Sequence, residues 1–257
     1  MKTLGNKITL NLGGNAEVNV KGFIAPIEYT QYNFHVEWDE LANFRVAEPE
    51  KQYPTSVFQA FLPSEAVSVG ECWKIEEEGV LTLLKQLYPR PCLELTIDSG
   101  DSYGLWGCLR AYNDGFADIV FRIHAEFIMK SGKFTPSQFA GHLFMDRVQE
   151  RVVSFKMYVP DATLNFDAGW KPPAYPDGVA EIGYCPQMEL SAGTQSRGAE
   201  FTASITQAEA ETELSSHFYK FQKINWVSLE EALEMAPAQQ KPIHVISIDG
   251  PLFDEAC

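Results

Sequence analysis

The chain has 257 residues, of which 45% are hydrophobic and 21% are charged. These proportions are those of an ordinary globular protein, and they exclude disordered, collagen-like and coiled-coil chains. The formal net charge of −15 argues against nucleic acid and anionic membrane surfaces as partners, because both are bound mainly through Lys and Arg.

The first part of the chain shows the two-residue alternation of apolar and polar side chains that is typical of β-strands. Segments 7–12 and 16–20 alternate on either side of a Gly-Gly-Asn turn, which predicts a hairpin. Segment 32–38 alternates in the same way and predicts another strand. Between residues 76 and 88 the spacing becomes that of an amphipathic helix, and Pro89 ends it.

Segment 118–128 is predicted to be a strand with unusual content. Its alternation places Arg122, His124 and Glu126 on one face of a sheet. We favour an ion-paired structural face, and a binding site for a ligand, metal or partner is the alternative. One histidine beside one carboxylate offers too few ligands to name a metal, so no metal site is assigned. A metal-dependent hydrolase that also uses His142 is a weaker interpretation for the same reason.

The end of the chain changes character. Ser228 and Glu231 have the spacing of a capping box, which predicts a helix start. An apolar, β-branched run at 243–248 follows, then a loop that leads to Cys257. Thioredoxin-like domains build their redox loop in this order of helix, buried strand, loop and cysteine. We therefore predict an α+β protein, with a β-rich domain at 1–220 and an incomplete thioredoxin-like unit at 221–257.

Several well-separated motifs resemble the selenoprotein N family, in a bacterial form. They are FRIHAEF at 121–127, FTP at 134–136, VP at 159–160, LNFD at 164–167, IGYCPQME at 182–189 and GPLFDEAC at 250–257. The resemblance runs from about Leu105 to the end, and the N-terminal third matches more loosely.

In that family the tail cysteine is followed directly by selenocysteine and glycine. The resemblance implies a thiol/selenol–disulfide oxidoreductase that acts on protein thiols or small oxidants and uses no other cofactor. Cys257 would be its catalytic thiol, next to a selenocysteine. Because the sequence stops at Cys257, we expect a UGA codon to follow, and we expect the 257-residue form to be inactive.

A function of a different class stays open, in which the β-rich domain is a non-catalytic module that binds a protein or ligand. The other four cysteines have no C-x-x-C spacing and are predicted to be small core residues. Residues 1–14 lack the apolar segment of a signal peptide. No run approaches the roughly 18 apolar residues that cross a bilayer, so we expect a cytoplasmic or otherwise soluble protein.

Overall fold

Two antiparallel sheets share one core in the structure, which is a computed structural model. It describes residues 6–13, 16–93, 104–194, 200–218 and 227–245. The combination of these sheets with helices confirms the α+β prediction.

The main sheet contains nine strands in the order β15-β6-β7-β10-β11-β14-β1-β3, and β4 also pairs with β6. Its strands are β1 (Glu17–Ile24), β3 (Glu50–Pro54), β4 (Cys72–Lys74), β6 (Leu105–Tyr112), β7 (Phe116–Ile123), β10 (Phe139–Asp146), β11 (Arg151–Tyr158), β14 (Met188–Gly193) and β15 (Ala203–Ser204).

The second sheet contains six strands in the order β2-β13-β12-β9-β8-β5. These are β2 (Tyr29–Thr30), β5 (Pro91–Cys92), β8 (Glu126–Ile128), β9 (Gly132–Pro136), β12 (Phe166–Trp170) and β13 (Val179–Tyr184). Six helices complete the described fold. They are α1 (Phe34–Glu37), α2 (Asp39–Ala42), α3 (Ser56–Gln59), α4 (Glu77–Leu87), α5 (Gln207–Phe218) and α6 (Leu229–Gln239).

Aromatic side chains fill the core, because every second residue of each strand points inwards. Phe61, Phe121 and Phe155 contact one another on the inner face of the main sheet. Phe134 and Phe166 stack at 4.5 Å on the side of the second sheet. All five are fully buried, and each such ring contributes about 1.5–3 kcal/mol by leaving water.

The helix predicted at 76–88 is confirmed as α4, which buries Val80, Leu83, Leu84 and Leu87. The strand predicted at 32–38 is wrong, because α1 lies there.

The backbone of Asn33 has φ 67, in the left-handed region, and it begins α1. Phe34 and Trp38 are buried together, whereas Val36 is 68% exposed. The buried residues are therefore four apart, which is helical spacing, and the alternation at 32–38 was misleading.

The predicted hairpin of 7–12 with 16–20 is also wrong. Ile8 makes an isolated bridge to Val67, whereas β1 pairs with β3 and β14. The predicted strand 118–128 is divided, because β7 ends at Ile123 and β8 belongs to the other sheet.

The predicted helix start near the end of the chain is confirmed. Oγ of Ser228 accepts the N–H of Glu231, and the Glu231 carboxylate accepts the N–H of Ser228, which is a capping box. Residues 241–245 form no strand, and residues 246–257 lie outside the described part of the chain. The thioredoxin-like unit and the boundary at 220 therefore stay predictions.

Candidate functional site

Two neighbouring strands cross from the main sheet to the second sheet at the same point. β7 continues as β8, and the chain returns through β9 into β10. Since β7 pairs with β10 and β8 pairs with β9, the two connections lie side by side. We call these connections, residues 124–125 and 137–138, the corner. The corner places His124 beside Gln138.

His124 is held at the corner by main-chain and side-chain contacts. Its main-chain N–H donates to the carbonyl of Gly104. The ring Nε2 lies 2.9 Å from the carbonyl oxygen of Ser137 and 3.2 Å from the side-chain amide nitrogen of Gln138. Burial lowers its pKa to about 4, and the charge of Arg122 also lowers the pKa, while the bond to the Ser137 carbonyl opposes both. The ring is therefore neutral at pH 7 and donates from Nε2 to that carbonyl.

Arg122 lies on the outer face of the main sheet, which is the face turned away from the shared core. Its Nη1 donates to Oγ of Ser215 on α5 at 3.2 Å. Two further residues of α5, Ala210 and Leu214, pack on this face against Val120 and are fully buried with it. Arg122 thus lies at the boundary between the sheet and the helix.

Glu126 is separated from the other two predicted residues. It lies in the second sheet, opposite Cys92 of β5, and its carboxylate accepts a hydrogen bond from Nζ of Lys133 at 3.2 Å. The side chain of Glu126 is buried, whereas that of Lys133 is one-third exposed. The turn of the chain at the corner therefore divides the predicted row of Arg122, His124 and Glu126 among three environments.

A cavity of about 500 Å³ opens on the outer face of the main sheet. Its walls come from β7, β10, the end of β11, residues 160–163 and α5. Its polar lining consists of Arg122, Gln138, Tyr158, Asp161, Thr163 and Glu211. This volume falls within the range of about 300–1,000 Å³ that is typical of small-molecule sites. Through Gln138, the cavity adjoins His124 at the corner.

The hydroxyl of Tyr158 at this cavity keeps its proton. Burial raises the pKa of Tyr158, and the carboxylate of Glu211 raises the pKa further. The cavity therefore offers a phenol, an aliphatic hydroxyl, an amide, a guanidinium and two carboxyl side chains to a ligand.

A second polar cluster crosses three strands of the outer face. Asp118 of β7, which is buried, accepts a hydrogen bond from Nε of Arg110 at 2.6 Å, and its other oxygen lies 3.4 Å from Nδ1 of His142. Burial raises the pKa of Asp118, but the hydrogen bond from His142 and the charge of Arg110 outweigh it and hold the pKa below its ordinary value. The carboxylate is therefore charged at pH 7.

The sequence pointed to Arg122 but not to this cluster. Asp118 stands four residues before Arg122 and therefore on the same face of the strand, which is a usable signal. The partners Arg110 and His142 lie on β6 and β10, whose pairing with β7 is visible only in the folded chain.

The proposed metal-binding combination does not assemble. His142 pairs with Asp118, whereas His124 and Glu126 lie in separate surroundings. Within the described ranges, no group of three or more His, Cys, Asp or Glu side chains is arranged to hold a metal ion. Cys257 lies outside the described residues, so its surroundings are not defined. In the same described part of the chain, every helix is too short or too polar to span a bilayer.

Three curated proteins named Selenoprotein N are similar to the chain. The protein of Danio rerio is 30% identical over 83% of this chain and 48% of the relative. The protein of Homo sapiens is 27% identical over 82% of this chain and 45% of the relative, and the values for Mus musculus are 26%, 82% and 48%. The chain thus spans about half the length of the curated relatives it matches. No protein-family model matches the chain, and no solved structure matches it.

The similarity extends well beyond the stretch after Leu105, because a match over more than four-fifths of the chain includes much of the N-terminal third. The resemblance that the motifs indicated is therefore confirmed: the chain belongs to a selenoprotein N-like family.

Proposed function

We propose that the chain is the β-rich part of a thiol/selenol–disulfide oxidoreductase of the selenoprotein N type. The observation that carries this proposal is the similarity to three proteins of that name over 82–83% of the chain. Cys257 is the catalytic thiol of the proposal, and a selenocysteine is its direct neighbour in the longer protein. The substrates are disulfides of proteins or small oxidants.

Exchange chemistry explains why a thiol beside a selenol suits this task. A selenol is ionised at neutral pH and attacks one sulfur of a substrate disulfide, which releases the first substrate thiol. The Cys257 thiolate then attacks the selenium, releases the second substrate thiol and closes a selenium–sulfur bond. Two electrons pass to the substrate, and an external dithiol returns them. The 257-residue chain contains only the Cys257 thiol, which is the weaker nucleophile of the two groups, so its exchange with disulfides should be slower.

The test compares the 257-residue chain with an extended chain in which Cys257 is followed by selenocysteine and glycine. The probe is an aromatic disulfide whose reduction is followed by absorbance, with dithiothreitol as the electron source. We expect turnover at least tenfold faster in the extended chain. Cys257→Ser in the extended chain should remove that gain, and Cys92→Ser should keep it as the matched control.

Equal rates for the two chains, or full activity of Cys257→Ser, would contradict the proposal. Reading the codon after Cys257 tests the expected selenocysteine separately. Any codon other than UGA at that position would overturn that part.

A second candidate function is ligand or protein binding by the β-rich part. The cavity of about 500 Å³ beside the corner is the observation that favours it. The same variants separate the two functions, because binding at this cavity should be indifferent to Cys257→Ser. Capture of a partner that persists in the variant, together with equal redox rates, would favour the binding module.

A further inference from the structure

Cys72 and Cys108 stand directly opposite each other on neighbouring antiparallel strands. Cys72 belongs to β4, Cys108 belongs to β6, and the register pairs the two residues. Directly opposed residues of an antiparallel pair point to the same side of the sheet. Both are thiols in this structure. Neither residue has the C-x-x-C spacing that identifies a dithiol in a sequence.

The position of this pair in the ladder decides how close the two residues come. The N–H of Leu109 donates to the carbonyl of Glu71, and the N–H of Ile75 donates to the carbonyl of Leu105. Hydrogen-bonded pairs recur at every second position of an antiparallel ladder. Cys72 and Cys108, one step away from the first of these pairs, are therefore a non-hydrogen-bonded pair.

Non-hydrogen-bonded pairs are the narrower of the two kinds. Their Cα atoms lie about 4.5 Å apart, within the span of about 4.4–6.8 Å that a disulfide bridges. The backbone can therefore accept a bond between the two sulfur atoms without a change of strand register.

The surroundings differ for the two thiols and set the order of reaction. Cys108 is fully buried beneath Ala210 and Leu214 of α5. Cys72 packs at the edge of the small apolar cluster that these three residues form with Val120, and it is partly exposed. An oxidant from solvent therefore meets Cys72 first. The neighbouring thiol of Cys108 raises the pKa of Cys72, and burial and the carboxylate of Glu213 raise it further. The thiolate that reacts is therefore scarce at neutral pH.

We propose that Cys72 and Cys108 form a redox site within the sheet, which small disulfides of the glutathione type convert from a dithiol into a cross-strand disulfide. The Cys72 thiolate attacks one sulfur of the small disulfide and releases one small thiol. The Cys108 thiolate then attacks Sγ of Cys72 and releases the second small thiol. Two electrons pass from the cysteine pair to the small disulfide, and the two thiol protons end on its products. This site is independent of Cys257 and of the proposed function.

The experiment incubates the reduced 257-residue chain with glutathione disulfide and identifies disulfide-linked peptides by mass spectrometry after non-reducing digestion. We expect one link between the peptides that carry Cys72 and Cys108. The rate should rise about tenfold for each pH unit from 7 to 9, because the thiolate fraction does so well below the pKa. Reduction with dithiothreitol should restore both thiols and lower the midpoint of thermal unfolding.

The variants Cys72→Ser and Cys108→Ser should each abolish the link. Cys92→Ser should leave it intact and is the matched control. The mass measurement on the unaltered protein stands by itself if a variant fails to fold. Glutathione attached to Cys72 without closure onto Cys108, or a link that appears only in urea, would overturn the proposal.

Discussion

Burial at the corner gives His124 a property that none of its immediate sequence neighbours indicates. The ring is kept neutral by the loss of water around it and by the charge of Arg122, although its contact with the carbonyl of Ser137 favours the protonated form. Protonation would place a second positive charge beside the guanidinium of Arg122 in a buried site. The residue is therefore a buried neutral group of the corner, and its protonation should destabilise the folded state.

The pH dependence of folding tests this role. A histidine whose pKa is about 4 in the folded state and 6.5 in the unfolded chain binds more protons when unfolded between these values. The stability that the neutral ring of His124 contributes is therefore fully present above pH 6.5 and is lost as the pH falls towards 4. We expect the loss from this residue to approach about 3 kcal/mol, because each pKa unit is worth about 1.4 kcal/mol.

Urea unfolding at a series of pH values measures the effect. The amide of the glutamine in His124→Gln can still donate to Ser137. In this variant the free energy of unfolding should decline between pH 6.5 and 4 by about 3 kcal/mol less than in the wild type. His244→Gln is the matched control, because the side chain of His244 is exposed and should leave the profile unchanged. Identical profiles for wild type and His124→Gln would refute the assignment of a depressed pKa to this residue.

At the scale of single elements, β10 packs so closely against its neighbouring strands at Gly141 that only glycine fits there. A Cβ atom on Gly141 would collide with the ring of Phe121 on β7 and with the carbonyl oxygen of Lys156 on β11. Both obstacles belong to neighbouring strands of the main sheet, and one of them is backbone. The sheet therefore cannot relax locally around a methyl group at this position.

We expect Gly141→Ala to lower the free energy of unfolding by about 1–3 kcal/mol, the usual cost of overpacking a core. Gly115→Ala is its control, since a Cβ there would meet nothing closer than the Asn113 side chain at 3.7 Å, and its cost should stay within about 0.5 kcal/mol. Equilibrium unfolding in urea measures both variants. An equal cost for the two would show that the packing around Gly141 is looser than the structure indicates.

Elements with local signals were predictable from the sequence, and those that depend on pairing were not. α4 follows from the spacing of its leucines, and α6 follows from the capping box at Ser228, because both signals lie within the element. The outward direction of Arg122 follows from alternation in the same way. The break after Ile123 depends on the return of the chain through β9 and β10, which local alternation does not contain. For that reason His124 and Glu126 were placed in one row but lie apart.

At the scale of the whole molecule, the two helices after the sheets make very different contributions. α5 buries Ala210 and Leu214 against the outer face of the main sheet and closes one wall of the cavity. α6 has no buried residue, and Leu229 and Leu233 on it are more than half exposed. The predicted boundary at 220 lies between these two helices and stays a prediction.

Two shortened chains test this boundary. A chain that ends at residue 220 loses only residues outside the two buried clusters of the described structure, so its free energy of unfolding should stay within about 0.5 kcal/mol of the 257-residue value. A chain that ends at residue 205 also loses α5 and exposes Cys108 and Val120. We expect it to be less stable by at least about 2 kcal/mol, the lower end for removal of a buried leucine alone.

Thermal and urea unfolding, followed by near-ultraviolet circular dichroism, measure both chains. The chain that ends at 205 serves as the control for sensitivity, since it must show a loss that the measurement can resolve. If the chain that ends at 220 unfolds without cooperativity, residues 221–257 belong to the same folding unit as the sheets. The division into a β-rich domain and a separate tail would then be wrong, and Cys257 would have to be sought beside the β-rich core.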